Sequence, residues 1–79
     1  PEDPAADPAR DLETAEEVRA LRRAVLALEP RLRELIDLYY VRGWPFHQIG
    51  ERWNLSESRT CQIHKRALRQ LREALKEAA

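Results

Sequence analysis

"IGERWNLSESRTCQIHKRAL", residues 49–68, passes from an apolar helical edge through a turn into a segment dense in polar and basic side chains. Asn54 tolerates the left-handed backbone conformation that ends a helix, and Ser56 is a good N-cap for the next one. The spacing predicts two helices joined by a short turn. Gly50 stands four residues before Asn54, where a missing side chain lets the second helix cross close against the first. Ile49, Trp53, Leu55, Ile63 and Ala67 are placed to fill the angle between them. This is the spacing of a helix-turn-helix.

The second of these helices is expected to run from about residue 56 toward Ala79. Thr60, Ile63, Ala67, Leu71, Ala74 and Leu75 recur at intervals of three and four residues and form its inner face, so Ser58, Gln62, Lys65 and Arg69 must point outward. In such a motif the N-terminal part of the second helix enters the DNA major groove, and the first helix lies across the backbone. The residue types suit that task. Gln62 can pair bidentately with adenine, and Arg59 can meet guanine or a phosphate. Lys65, Arg66 and Arg69 are placed for phosphates further along. Glu57 could accept from a cytosine amine, or serve only to favour the helix N-terminus. The bland alternative for the whole run is a solvated helix face.

Upstream, the chain is punctuated into further helices. Thr14 precedes "AEEVRALRRAVLAL", with Glu16 and Glu17 in the first turn and Val18, Leu21, Val25 and Leu28 at helical spacing. Pro30 stops that helix and can open another, "PRLRELIDLYYVR", striped by Leu32, Leu35, Ile36 and Tyr39 and ended by Gly43. Pro45 opens "PFHQIGERW", with Phe46, Ile49, Gly50 and Trp53 on one side. The expected fold is all-α: a small four-helix domain with a C-terminal helix-turn-helix and a long recognition helix. The opening "PEDPAADPAR" reads as a disordered linker. The boundary is set so that 1–12 is linker and 13–79 is the domain.

Size and charge narrow the function. A chain of 79 residues is one small domain at most, burying about 60% of its unfolded surface, which leaves no room for a large enzyme core. It begins at Pro1 and contains no methionine, so it reads as a piece of something longer. No apolar run of about 18 residues and no secretory pattern occurs, and Cys61 is the only cysteine; a soluble, intracellular protein is expected. Fourteen basic and fourteen acidic residues cancel, yet the charges are segregated. Residues 1–30 carry four bases and eight acids (4 − 8 = −4), and 31–79 carry ten bases and six acids (10 − 6 = +4). Within 56–72, Arg59, Lys65, Arg66, Arg69 and Arg72 face only Glu57, a balance that attracts a polyanion.

"IGERWNLSESRTCQIHKRALRQLREAL" resembles the C-terminal DNA-binding region, region four, of sigma-70 family transcription initiation factors. The similarity is closest to alternative sigma factors of the flagellar or sporulation type. It continues upstream through "LRRAVLALEPRLRELIDLYYVRGWPFHQIG", so residues 18–75 are covered in unbroken order. The chain departs from the family pattern in places. The usual Leu-Pro-Glu-Arg order appears as Leu28, Glu29, Pro30, Arg31; Pro45 and Gln48 replace a capping box. Thr60 stands where Val or Ile is typical, and Trp53 replaces a smaller apolar residue, two changes expected to compensate in the core.

The resemblance implies a promoter-recognition domain that binds the upstream (−35) element, with the first helices holding the flap of the RNA polymerase β subunit. Promoter DNA and core RNA polymerase are the implied partners, in a bacterial cytoplasm, with an anti-sigma protein as a plausible regulator. Leu21, Val25, Leu32 and Leu35 are candidates for the partner surface, shared with the core in a proportion that sequence leaves open. His47 matches a place where the family approaches phosphates, or is plainly exposed.

Other readings are weaker. Cys61, His64 and His47 offer at most three ligands where a structural zinc site wants four. Cys61 is better read as a small residue at the groove edge, and His64 as packing or touching DNA. The aromatic residues fit a core better than a base-stacking platform. No catalytic triad, glycine-rich phosphate loop or carboxylate pair stands out, so no enzyme, cofactor or small-molecule substrate is expected. A response-regulator type of helix-turn-helix, dimeric on paired half-sites, or a helical protein-interaction module are the alternatives.

Overall fold

The computed structural model describes residues 14–78, and the linker expected at 1–12 lies outside them. The described residues form four helical stretches and no strand. Helix α1 spans Ala15–Leu26, α2 spans Pro30–Ile36 and runs on into a π-helical turn at Asp37–Val41, α3 spans Phe46–Trp53, and α4 spans Glu57–Ala78.

Each boundary has a local cause. At the start of α1 the Thr14 hydroxyl accepts the Glu17 N–H at 3.1 Å, and Glu16 and Glu17 lie at the positive end of the helix dipole. The helix stops two residues before the expected Leu28. Pro30 is the first residue of α2 and forces Glu29 into an extended conformation (φ −53°, ψ 148°), so the chain has to leave α1 earlier. Leu28, 7% exposed, turns into the corner that this creates. Pro45 opens α3 from just outside, as its extended N-cap; its carbonyl accepts the Gln48 and Ile49 N–H groups, both at 3.1 Å, with no side-chain cap.

The expected α-helix over 30–42 is α-helical only as far as Ile36. Beyond it the Arg42 N–H reaches the Asp37 carbonyl at 3.0 Å, a five-residue step, and Arg42 Nε pairs with Asp37 Oδ2 at 2.8 Å across the same turn. A π turn carries one extra residue. Here it lets two successive tyrosines face the domain: Tyr39 stacks on Phe46 with ring centroids 4.3 Å apart, and the Tyr40 hydroxyl lies 2.7 Å from His64 Nε2. Gly43 follows at φ 74°, and the Trp44 N–H closes onto the Leu38 carbonyl at 2.9 Å.

The core is a single cluster. Leu28, Leu32, Leu35 and Leu38 meet Phe46 and Ile49 of α3 and Ile63, Ala67, Leu68 and Leu71 of α4. Leu35 and Ile49 are fully buried, and each such side chain stabilises the fold by roughly 1.5–3 kcal/mol relative to exposure. Helix α1 has no fully buried residue and contributes Leu21, Ala24 and Val25 from its edge.

The turn between α3 and α4 matches the sequence expectation. Asn54 adopts φ 58°, ψ 44°, its N–H bonds back to the Glu51 carbonyl at 3.2 Å, and the Leu55 N–H reaches the Gly50 carbonyl at 2.8 Å. These are the two bonds of a Schellman cap. The Ser56 hydroxyl then accepts the Arg59 N–H at 3.0 Å and starts α4. A Cβ on Gly50 would lie 2.6 Å from the Leu55 carbonyl oxygen and 2.9 Å from Thr60 Oγ1, so only glycine fits the crossing.

Thr60 and Trp53 are accommodated separately rather than by compensating in the core. The fully buried Thr60 donates its hydroxyl to the Ser56 carbonyl at 2.9 Å. Trp53 lies at the α2–α3 edge, its indole N–H donating to Glu34 at 2.8 Å and its ring beneath the Arg31 guanidinium, 4.7 Å away.

Candidate nucleic-acid interface

The crossing of α3 and α4 fixes which residues of α4 can meet a ligand. Thr60, Ile63, His64, Ala67, Leu68 and Leu71 are buried. The opposite stripe, Ser58, Gln62, Lys65 and Arg69, is exposed, as are Glu57, Arg59 and Arg66. These positions repeat at i, i+4, i+7 and i+11, so they form one outward stripe. His47, in the first turn of α3, is exposed as well.

Elsewhere several arginines are matched with acids, Arg19 and Arg23 with Glu16, Arg42 with Asp37, and Arg52 with Glu34, while Arg31 lies over the Trp53 ring and Arg33 donates to the Leu26 carbonyl. Among the described residues, Arg59, Lys65 and Arg69 make no salt bridge. Arg59 Nη1 instead donates to Gln62 Oε1 at 3.3 Å. Arg66, one position around the helix from Lys65, pairs with Glu29 of the α1–α2 turn at 3.3 Å. Arg59, Lys65 and Arg69 thus lie near one another on the outward side of α4 without a carboxylate partner, an arrangement suited to a polyanion.

The remaining candidates are sorted by burial. His64 is 8% exposed among Tyr39, Tyr40 and Phe46, with ring centroids 5.0–5.6 Å away, and so is a packing residue turned from the outward stripe. Cys61 is partly buried against the core. Leu32 and Leu35 are 2% and 0% exposed, which removes them from any partner surface, while Leu21 and Val25 remain partly exposed. Among the described residues no three His, Cys, Asp or Glu side chains are grouped to hold a metal, and no helix is long and apolar enough to cross a membrane.

Two features escaped the sequence reading. The pairing of Arg66 with Glu29 joins residues 37 apart, and no local pattern announces it. The α2–α3 edge, where Glu34 receives both Trp53 and Arg52 and where Arg52 also lies 5.8 Å from the Trp44 ring, was equally hidden. No spacing in the sequence announces it, because Glu34 on α2 and Arg52 and Trp53 on α3 meet only in the folded chain.

The profile of the family described as Sigma-70, region 4 matches residues 24–73, well over half of the chain. No curated protein and no solved structure matches the chain. The matched span holds α2, the π turn, α3 and the outward stripe of α4. With the helix-turn-helix in place and its outer face basic, the chain belongs to the sigma-70 region 4 family, a DNA-binding domain of the sigma factors of RNA polymerase.

Proposed function

We propose that the domain recognises the −35 element of a promoter by inserting the first half of α4 into the major groove. Ser58, Arg59 and Gln62 meet base edges, while Lys65, Arg66, Arg69 and, from α3, His47 meet phosphates. Glu57, at the first position of α4, either accepts from a cytosine amine or only favours the helix N-terminus. The observation that carries this reading is the exposure of Arg59, Lys65 and Arg69 on α4 without carboxylate partners. The partly exposed Leu21 and Val25, with Val18 and Leu26 at 44% and 62% exposure, form the surface offered to the polymerase β-subunit flap. An anti-sigma protein competing for either surface would silence the factor in the bacterial cytoplasm. The Ser-Glu-Ser-Arg opening of α4 supports assignment to the flagellar or sporulation type.

Salt dependence tests the proposal. Three phosphate contacts from Lys65, Arg66 and Arg69 correspond to a log–log slope of about −2.7, so a fourfold rise in salt should weaken binding to duplex DNA about 40-fold. Lys65→Ala should make the slope shallower by about one, on promoter and scrambled DNA alike. Binding that is indifferent to salt would sink the assignment and favour a protein-interaction module.

A further inference from the structure

Building on the DNA reading proposed above, we infer that Tyr40 and His64 are positioning residues for promoter preference, which set the rotation of α4 about its own axis. The Tyr40 hydroxyl lies 2.7 Å from His64 Nε2, a hydrogen bond whichever of the two carries the proton. His64 is 8% exposed, and it stands two residues after Gln62 and one before Lys65. Its ring is enclosed by Tyr39, Tyr40 and Phe46, with centroids 5.3, 5.6 and 5.0 Å away. The helix is thus held from its buried side at the level of its outward stripe. Leu35, Phe46 and Ile49 also pack in the core with Ile63, Ala67 and Leu71 of α4, but burial of apolar surface has no direction. A hydrogen bond has one, in both distance and angle. The other tie from α4, Arg66 to Glu29, has side chains 54% and 62% exposed and holds weakly in water.

The leverage is geometric. An α-helix with its side chains is about 10–12 Å across, so a rotation of about 10° moves an outward side-chain tip by about 1 Å. Hydrogen bonds to base edges fail over such a distance, because their lengths span only about 0.5 Å. Phosphate contacts from long, flexible cations follow the displacement and carry no sequence information. A small rotation therefore erodes base preference first. The π turn at Asp37–Val41 supplies the hydroxyl that opposes it: the extra residue lets Tyr40 reach His64 while Tyr39 stacks on Phe46 at 4.3 Å. Such turns are rare and recur at functional sites. Here the irregularity has an identifiable product, a directional bond to the helix that carries the outward stripe.

The test compares the whole chain with Tyr40→Phe and with the double variant Tyr40→Phe, His64→Leu, on two duplexes: one selected by the parent from a randomised pool, and its scrambled counterpart. Tyr40→Phe keeps the ring and removes only the hydroxyl. The double variant replaces both polar partners by apolar groups, which restores stability toward that of the parent but supplies no direction. Partial unfolding weakens apparent affinity for both duplexes by the same factor, so the ratio of the two affinities reads positioning and not stability. That ratio should fall about tenfold in both variants. A parent-like ratio in either variant overturns the inference and leaves the pair as packing alone. Salt-sensitive binding by a parent that selects no sequence also overturns it, with the DNA-binding assignment left standing; no salt-sensitive binding removes both.

Discussion

Replacing Gly50 with alanine puts two opposed effects into one methyl group. Alanine is the better helix former by about 1 kcal/mol, so local propensity alone predicts a more stable α3. The crossing predicts the reverse. The added Cβ would sit 2.6 Å from the Leu55 carbonyl oxygen, 2.9 Å from Thr60 Oγ1 and 3.3 Å from the Ser56 carbonyl oxygen. Two of these atoms are backbone in a turn pinned by the Leu55-to-Gly50 bond of 2.8 Å, and neither can swing aside as a flexible side chain would. Overpacking of this kind costs about 1–3 kcal/mol, and disturbing the Thr60-to-Ser56 hydrogen bond adds about 1 kcal/mol. After subtracting the propensity gain, a net loss of about 1–3 kcal/mol remains. For a domain of this size each kcal/mol lowers the melting temperature by about 4–8 °C, so a loss near 2 kcal/mol is about 8–16 °C. Thermal unfolding followed by far-ultraviolet circular dichroism reads this directly, with DNA binding declining alongside. Gly50→Leu should be worse. An alanine variant that melts at or above the parent temperature would mean that α3 and α4 do not approach at this point, and the placement of the outward stripe of α4 would go with it.

Two further perturbations probe the turn and the interface. Asn54 sits at φ 58°, so Asn54→Gly should leave stability nearly unchanged in urea unfolding, whereas Asn54→Val should cost about 1–2 kcal/mol from left-handed strain; equal midpoints for the two variants would refute the cap. Glu29→Gln should release Arg66 from its 3.3 Å ion pair, tightening binding to any duplex because the carboxylate no longer competes with phosphate for the guanidinium. Because both partners are well exposed, that change should alter stability by less than about 1 kcal/mol, and unaltered DNA affinity would show that Arg66 takes no part in phosphate contact.

The parts of the fold that were legible in the sequence are those governed by backbone rules. Pro30, Asn54 and Ser56 each restrict the chain within a residue or two, and Gly50 signals a close approach whatever lies around it. The inner stripe of α4 could be read at Thr60, Ile63, Ala67 and Leu71 because burial repeats with the helical period. Leu68 escaped, and His64 was left between packing and DNA, because the buried face is broader than that stripe: α1, α2 and α3 all pack against α4. The π turn escaped for another reason. Its single inserted residue changes no propensity, and what favours it is the seating of Tyr39 and Tyr40 on Phe46 and His64, contacts that exist only after folding. The candidate interface was readable as a set of exposed residues on one stripe. Its charge balance was not, since the withdrawal of Arg66 toward Glu29 depends on where a distant turn comes to lie.

Helix α4 has 22 residues, or about 33 Å of helix, close to the 36 Å longest dimension of the domain. The same rod therefore serves as the spine on which the other helices are assembled and, in the proposed function, as the surface that meets DNA. That leaves little room for a change of promoter preference by trial and error: substitutions at Thr60, Ile63, His64, Ala67, Leu68 or Leu71 are charged against folding, because each of these side chains is buried. The freedom to acquire a new target is confined to the exposed stripe of Ser58, Gln62, Lys65 and Arg69 with Arg59 beside it. Divergence of such a domain toward new promoters should accordingly be rapid at those few positions and slow at the ones between them, an alternation that follows the turns of a single helix.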